Sequence, residues 1–280
     1  MCDFSFVKRG YPKRGKVSCD MSLAKRIQKL KKTFTPKKVE EGTPSEKILS
    51  EHSRFFVKEA YKALRTNLIF SLTETGGKVI LITSSGAAEG KSTSCLNLAI
   101  TFADMGAKVC VVDCDLRKPS ISRLCEEKGS PGLSNVLVNL NKLPEVIRKS
   151  KYNNMDVIYS GEIPPNPAEL LSSNKMEEVL RELAQQYDYV FVDTPPVNVA
   201  TDASLLAVKA NGVLLVVRQG KTTNDELAEA IQQLEFVKAR IIGMLFNDTK
   251  ITSNKKGRYM RKDYYYKNYY SYTRLLNEDK

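Results

Sequence analysis

The segment KVILITSSGAAEGKST, residues 78–93, decides the fold of this 280-residue chain. It begins with a continuous apolar run, which is typical of a strand buried on both faces of a parallel sheet. Small residues and glycines follow, and Lys91 then starts a stretch with helical spacing of apolar residues. A glycine-rich loop between a strand and a helix turns backbone N–H groups toward anionic oxygens. The segment therefore predicts a phosphate-binding loop.

The spacing within this loop predicts binding of ATP with Mg²⁺. Lys91 is placed to reach the β- and γ-phosphates, and the Ser92 hydroxyl can ligate Mg²⁺. The loop differs from the strict G-x-x-x-x-G-K-[ST] pattern, because Ser85 occupies its first position and Gly86 follows one residue late. The residues expected to contact the nucleotide are Gly86, Ala87, Ala88, Glu89, Gly90, Lys91, Ser92 and Thr93.

Strand-like apolar runs alternate with helical patterns along the rest of the chain. The runs cover residues 78–84, 108–114, 155–161, 189–195, 212–220 and 241–248. Helical spacing covers residues 54–72, 91–105, 174–186, 202–209 and 224–237. This alternation predicts an α/β fold with a doubly wound, mostly parallel sheet flanked by helices, of the P-loop NTPase type. Ligands of such sheets bind beyond the carboxyl ends of the strands.

Acidic residues stand at the carboxyl ends of two apolar runs. Asp113 and Asp115 follow one run, and Asp193 ends another. A buried carboxylate is costly unless it is paired, and nucleotide-bound Mg²⁺ supplies such a partner. We expect Asp193 to hold the metal, while one of Asp113 and Asp115 holds Mg²⁺ and the other takes a proton from an incoming hydroxyl. The alternative is that the pair caps the following helix or binds Arg117.

Tyrosines are concentrated near the C-terminus, where seven of the chain's 13 tyrosines lie between residues 259 and 272. They are Tyr259, Tyr264, Tyr265, Tyr266, Tyr269, Tyr270 and Tyr272. No helical or strand period would bury such a cluster, and its basic surroundings predict a mobile tail. Mobility suits phosphoacceptors, because each tyrosine must reach an active site in turn. Stacking on single-stranded nucleic acid is an alternative, although no nucleic-acid partner is expected.

The formal net charge of +12 belongs to the two ends of the chain. Residues 1–38 contain 12 Lys or Arg and two Asp, and residues 250–280 contain nine basic and three acidic residues. Such ends can attract an anionic membrane or simply keep the protein soluble. We expect a basic, flexible segment over 1–50, a P-loop domain over 51–250 and a flexible, tyrosine-rich tail over 251–280.

Several classes of protein are not expected from this sequence. No apolar run reaches the roughly 18 residues that a membrane-spanning helix needs, and the N-terminus lacks the apolar part of a secretory signal. We therefore expect a cytoplasmic location. The six cysteines form no C-x-x-C pair and there is a single histidine, so a zinc site is not expected.

The loop and the two acidic strand ends resemble those of the bacterial tyrosine kinases, which are ATP-dependent autokinases of capsule and exopolysaccharide synthesis. The resemblance covers roughly residues 54–272 and includes the segment PPNPAELL, residues 164–171. It implies an active site made of Lys91, Ser92, Asp113, Asp115 and Asp193, with Ser92, Asp113 and Asp193 on the metal. It also implies transfer of the γ-phosphate to tyrosines of the C-terminal cluster.

The same resemblance implies partners. The segment EAYKALR, residues 59–65, is similar to the family's helix motif for ring-shaped oligomers such as octamers, and implies that Glu59, Lys62 and Arg65 contact a neighbouring subunit. Lys62 stands where the family usually has arginine, and lysine cannot make the same bidentate contact. A transmembrane activator related to chain-length regulators would recruit the kinase to the inner face of the plasma membrane. A phosphotyrosine phosphatase would reverse the modification.

Two other functions stay open at this level. A partitioning or positioning ATPase of the ParA/MinD type shares the fold and the acidic strand ends. Such ATPases usually carry a second lysine near the start of the loop, where this chain has Ser85-Gly86, and they lack a tyrosine cluster. A nucleotide-dependent scaffold would need Asp193 for a metal but would have little use for Asp115.

Overall fold

The computed structural model describes residues 44–72 and 75–249. Most of the predicted N-terminal segment and all seven tyrosines of the C-terminal cluster lie outside the described residues. Within them, one sheet has the strand order β3-β4-β2-β5-β1-β6-β7. The strands are β1 Lys78–Ser84, β2 Val109–Asp113, β3 Arg148–Lys149, β4 Met155–Ile158, β5 Tyr189–Asp193, β6 Gly212–Arg218 and β7 Ile241–Asn247.

The sheet is parallel except at one edge, which confirms the predicted fold class. β1 pairs with β5 on one side and β6 on the other, and both pairings are parallel. Only β3 runs antiparallel, against β4. The sequence did not predict β3, because a two-residue strand is too short to leave an apolar pattern.

Helices cover both faces of the sheet and explain why its strands are continuously apolar. Along β1, Val79 and Leu81 join one apolar cluster, whereas Ile80 and Ile82 join the cluster on the opposite face. The longer helices are Phe55–Ser71, Lys91–Ala103, Asn174–Gln186 and Asn224–Phe236. The shorter helices are Ile121–Cys125, Leu133–Leu137, Leu143–Val146, Pro167–Ser172 and Asp202–Ala207.

The last residues of the predicted N-terminal segment pack on the domain. Pro44–Lys47 form a single turn of 3-10 helix, and Ile48 and Leu49 are buried. The Leu49 N–H donates to Oδ1 of Asn97 at 2.7 Å, and the Tyr152 hydroxyl donates to the Leu49 carbonyl at 2.8 Å. The packed part of the chain therefore begins before residue 51, where the sequence placed the boundary.

Three strands end side by side at the carboxyl edge of the sheet and position the site. β1 ends at Ser84, β2 at Asp113 and β5 at Asp193. The register places Asp113 directly opposite Asp193 on neighbouring parallel strands.

Among the described residues, none of the helices combines the length and the apolar character that crossing a membrane requires.

Candidate functional site

The phosphate-binding loop connects β1 to the helix Lys91–Ala103 in a conformation that depends on glycine. Gly90 has φ 93°, and a Cβ atom there would lie 2.1 Å from Nδ2 of Asn247. Ala88 also has a positive φ of 57°. At position 90 only glycine can adopt this backbone conformation without steric conflict. The loop can therefore turn sharply just before the helix begins.

Lys91 lies at the centre of the acidic strand ends. Its Nζ is 2.8 Å from Oδ2 of Asp115, 3.8 Å from Oδ1 of Asp193 and 3.3 Å from the Ser92 hydroxyl. Burial opposes the positive charge, but the carboxylates of Asp193 and Asp115 outweigh it, so the pKa of Lys91 is raised. The lysine is therefore held charged in a largely buried position.

Asp193 is a fully buried carboxylate that accepts no hydrogen bond from the described residues. Its exposure is 0%, and neither Oδ1 nor Oδ2 has a hydrogen-bond partner there. Burial raises the pKa of Asp193 to about 6, and the positive charge of Lys91 and the nearby Ser92 hydroxyl only partly offset that effect. Two buried carboxylate oxygens that accept no hydrogen bond among the described residues fit the requirements of a metal ligand.

Asp113 has a different environment, because backbone N–H groups bind both of its oxygens. Oδ1 accepts from the Asp115 N–H at 3.1 Å, and Oδ2 accepts from Ser120 and Ile121 at 3.3 and 3.1 Å. Burial and the charge of Asp193 raise the pKa of Asp113 to about 7. Asp113 therefore binds two N–H groups at the start of the helix Ile121–Cys125, in agreement with the alternative that it caps this helix.

Asp115 is the acid in direct contact with the phosphate-loop lysine. Oδ2 binds Lys91, while Oδ1 accepts the Lys118 N–H at 3.0 Å. The Ser120 hydroxyl, which the sequence did not single out, lies 2.7 Å from the Ser92 hydroxyl. The structure therefore brings the predicted residues Lys91, Ser92, Asp113, Asp115 and Asp193 together at one edge of the sheet.

One alternative paired Arg117 with Asp113 or Asp115, but Arg117 binds a different acid. Its Nε and Nη2 donate to the two oxygens of Asp202 at 2.8 and 2.9 Å. Asp202 was missed by sequence reasoning, although an acid at the first position of the predicted helix 202–209 was a usable signal. This fully buried carboxylate is neutralised within the chain, which gives it a structural role.

The loop residue Glu89 contributes differently from the expectation of simple nucleotide contact. Its side chain is buried and accepts hydrogen bonds from the hydroxyls of Ser85 and Thr222. Only its backbone N–H is available for a phosphate. Thr222 lies 133 residues away from Glu89 in sequence and carries no local signal.

The residues predicted to make oligomer contacts lie on the helix Phe55–Ser71. Lys62 Nζ binds Oε1 of Glu59 at 2.8 Å within the helix. The Arg65 guanidinium donates through Nη1 to the Thr101 carbonyl, and its Nε is buried without a hydrogen-bond partner among the described residues. These three side chains are engaged within the subunit, and their role at a subunit contact stays a prediction.

The donor set at this edge fits a magnesium nucleotide. The Ser92 hydroxyl and the incomplete carboxylate of Asp193 are hard oxygen ligands, and Mg²⁺ typically uses one or two carboxylates together with phosphate oxygens and water. Lys91 and the positive end of its helix supply charge for the phosphates. The arrangement can therefore bind a metal-bound polyphosphate next to a carboxylate.

Comparison with known proteins places the chain in a family. A family model described as an AAA domain matches residues 67–246. The tyrosine-protein kinase YwqD of Bacillus subtilis is 39% identical over 206 residues, which cover 73% of this chain and 87% of that protein. The putative tyrosine-protein kinase CapB of Staphylococcus aureus is 33% identical, over 71% of this chain and 87% of that one.

Solved structures agree. The kinase domain of the Escherichia coli tyrosine kinase ETK superposes with a TM-score of 0.68 at 34% identity, covering 72% of this chain and 79% of that domain. The cell division ATPase MinD of Pyrococcus furiosus shares the fold alone, with a TM-score of 0.52 at 24% identity over 60% of this chain. The rival assignment to the ParA/MinD type is therefore not favoured. The chain belongs to the family of bacterial tyrosine-protein kinases.

Proposed function

We propose that this chain is an ATP-dependent tyrosine autokinase, and that the tyrosines of residues 259–272 in a neighbouring subunit accept the γ-phosphate. The observation that carries the proposal is the carboxylate of Asp115, 2.8 Å from Nζ of Lys91. A scaffold that only binds nucleotide needs a metal ligand but no second acid beside the phosphate lysine. The family resemblance supports a role in capsule or exopolysaccharide synthesis.

Lys91 and Asp115 exchange partners in the proposed reaction. Lys91 leaves Asp115 for the β- and γ-phosphate oxygens, which frees Oδ2 of Asp115. That oxygen then accepts the proton of the tyrosine hydroxyl. As the proton leaves, the tyrosine oxygen bonds to the γ-phosphorus and the bond from that phosphorus to the ADP oxygen breaks. Asp115 suits this role better than Asp113, whose oxygens already accept three backbone N–H groups.

Ser92 and Asp193 would hold the metal, with Asp113 as the third predicted ligand. Bound Mg²⁺ neutralises charge on the phosphate oxygens. Asp193 offers two oxygens without hydrogen bonds, whereas Asp113 would have to share oxygens that bind Ser120 and Ile121. We therefore rank Asp193 above Asp113 as a direct ligand.

Mapping phosphorylation sites tests the proposed function. The full-length protein is incubated with ATP and Mg²⁺, with and without a peptide from a membrane activator, and phosphotyrosine is located by mass spectrometry. We expect phosphotyrosine within residues 259–272 that disappears in Lys91→Met. Lys175 pairs with Glu178 within the helix Asn174–Gln186, which does not contain Lys91, so Lys175→Met is a matched control that should keep activity. ATP hydrolysis without any tyrosine modification under either condition would refute the proposal.

Phosphorylation of the tail would also change assembly. Each phosphate adds about −1.5 to −2 charges, so several together reverse the positive charge of residues 250–280. Self-repulsion would then release the tail from the neighbouring subunit of a ring held by Glu59, Lys62 and Arg65. Mass photometry of the unmodified and the fully phosphorylated protein should show a large and a small species. Identical sizes would contradict this switch.

The remaining partners follow from the resemblance. A transmembrane activator would recruit the kinase to the inner face of the plasma membrane, and a phosphotyrosine phosphatase would reset it. Imaging a fluorescent fusion in cells with and without the activator gene tests recruitment. A membrane signal that persists without the activator would assign recruitment to the basic N-terminal segment instead.

A further inference from the structure

Three side chains from the ends of β6 and β7 bind three consecutive carbonyl groups of the phosphate-binding loop. Lys221 Nζ donates to the Ala87 carbonyl, and Arg218 Nη1 donates to the Ala88 carbonyl at 3.0 Å. Asn247 Nδ2 donates to the Glu89 carbonyl at 2.9 Å. We call Arg218, Lys221 and Asn247 the carbonyl clamp.

The clamp determines where the N–H groups of the loop point. In a trans peptide the carbonyl and the following N–H point in opposite directions. Holding the carbonyls of residues 87, 88 and 89 toward the clamp therefore turns the N–H groups of Ala88, Glu89 and Gly90 away from it. Within the described residues, no hydrogen bond uses these three N–H groups. They are free for an anion.

The turn after β6 also binds the side chain of the loop residue Glu89. Glu89 is buried, with 1% exposure, within the loop that is proposed to bind phosphate. Oε1 accepts from the hydroxyls of Ser85 at 3.0 Å and Thr222 at 2.5 Å. Thr222 Oγ1 also accepts the Arg218 N–H at 3.0 Å, so this contact and the clamp share one turn after β6.

We propose that Arg218, Lys221 and Asn247 are positioning residues, which act through the loop backbone to keep three N–H groups oriented toward the nucleotide phosphates. The proposal rests on the nucleotide binding of the proposed function. Neither the loop motif nor the acidic strand ends require these residues. Arg218 also binds Asp248, the residue that follows β7, at 3.0 Å.

Titration with ADP tests the clamp in the full-length protein. We expect Asn247→Ala, Lys221→Met and Arg218→Met each to raise the Kd for ADP roughly three- to tenfold, as the loss of one loop-orienting hydrogen bond predicts. Lys221→Arg, which can still donate to the Ala87 carbonyl, should restore binding. In kinase assays the KM for ATP should rise in each variant as the Kd for ADP does, and kcat should change much less. Melting temperatures should fall by no more than a few degrees, because the lost hydrogen bonds are exposed or only partly buried.

Two matched control variants test whether the effect on ADP binding depends on where in the structure the bond or charge is removed. Arg240 Nη2 donates to the Ser71 carbonyl at 2.8 Å, at the opposite edge of the sheet, so Arg240→Met removes an arginine-to-carbonyl bond without touching the loop. Lys175→Met removes one exposed positive charge. Neither should change the Kd for ADP.

Two outcomes would overturn the clamp. Unchanged binding in all three clamp variants would do so directly. So would a loss confined to Lys221→Met and Arg218→Met that disappears at high salt, because that pattern shows a long-range charge effect and not an oriented backbone. The neutral change Asn247→Ala makes this distinction. Weaker ADP binding in the clamp variants without any tyrosine phosphorylation would refute only the proposed kinase activity.

Discussion

Asp193 and Asp202 are both fully buried carboxylates, nine residues apart, yet the fold treats them in opposite ways. Both oxygens of Asp202 accept hydrogen bonds from the Arg117 guanidinium. Both oxygens of Asp193 lack hydrogen-bond partners among the described residues, and the nearest cation, Nζ of Lys91, lies 3.8 Å from Oδ1.

The difference separates a structural acid from a binding acid. Burying a carboxylate without hydrogen bonds costs free energy, and the chain avoids that cost at Asp202 by adding Arg117. At Asp193 the cost remains, which is reasonable only if a ligand completes the site. Stability and function should therefore respond in opposite directions when the two acids are changed.

The largest effect is expected for Asp193→Asn. Removing the charge should lower tyrosine phosphorylation about a hundredfold or more, because the proposed metal loses its best ligand. The free energy of unfolding without nucleotide should rise by about 1–3 kcal/mol at pH 7.5, since the pKa of Asp193 is raised by burial. Kinase assays and urea denaturation measure the two quantities. An active variant, or one that is clearly less stable, would contradict this comparison.

The opposite sign is expected for Arg117→Ala. Without the guanidinium, Asp202 becomes a buried charge with no partner, and the free energy of unfolding should fall by about 2–4 kcal/mol. Urea denaturation of Arg117→Ala, Asp202→Asn and the double variant forms a mutant cycle. The double variant should be more stable than Arg117→Ala alone. If the changes in the free energy of unfolding are strictly additive, loss of the ion pair does not explain the destabilisation of Arg117→Ala.

Much of this architecture could be predicted from local sequence, because strands buried on both faces leave continuous apolar runs. All six predicted runs contain strands, and the predicted helix 174–186 matches the observed bounds Asn174–Gln186. The phosphate loop and the acidic strand ends were also visible, since their chemistry requires fixed spacing. Short helices such as Leu143–Val146 were missed, because four residues cannot display a helical period.

Long-range side-chain contacts could not be predicted. Arg117 and Asp202 are separated by 85 residues, and Asn247 by 158 residues from the carbonyl that it binds. Nothing in the local pattern around Arg117 distinguishes a bond to Asp113 from one to Asp202. Such partners become known only when the crossovers of the sheet bring the strand ends together.

The stability of the folded protein should also depend on pH, because Asp113 and Asp193 are both buried. The pKa values of Asp113 and Asp193 are raised to about 7 and about 6, above the roughly 3.9 of an unfolded aspartate. The folded protein therefore keeps protons that the unfolded chain has lost, and this stabilisation disappears as pH rises from about 4 to 7. Without nucleotide, the stability of the wild type should fall over this window by about 1–2 kcal/mol more than that of Asp193→Asn. Parallel curves from urea denaturation would contradict the assignment.

The smallest effect is expected at a third buried acid, Asp156. Its environment is intermediate between those of Asp193 and Asp202. Its Oδ2 accepts from Lys149 Nζ at 2.9 Å and from the Tyr187 hydroxyl at 2.8 Å. The Lys149 side chain is 89% exposed, so water can replace it. Lys149→Met should therefore lower the free energy of unfolding by less than about 0.5 kcal/mol, well below Arg117→Ala. A loss of several kcal/mol in thermal or urea denaturation would mean that the partner's charge, and not its burial, decides what a buried carboxylate costs.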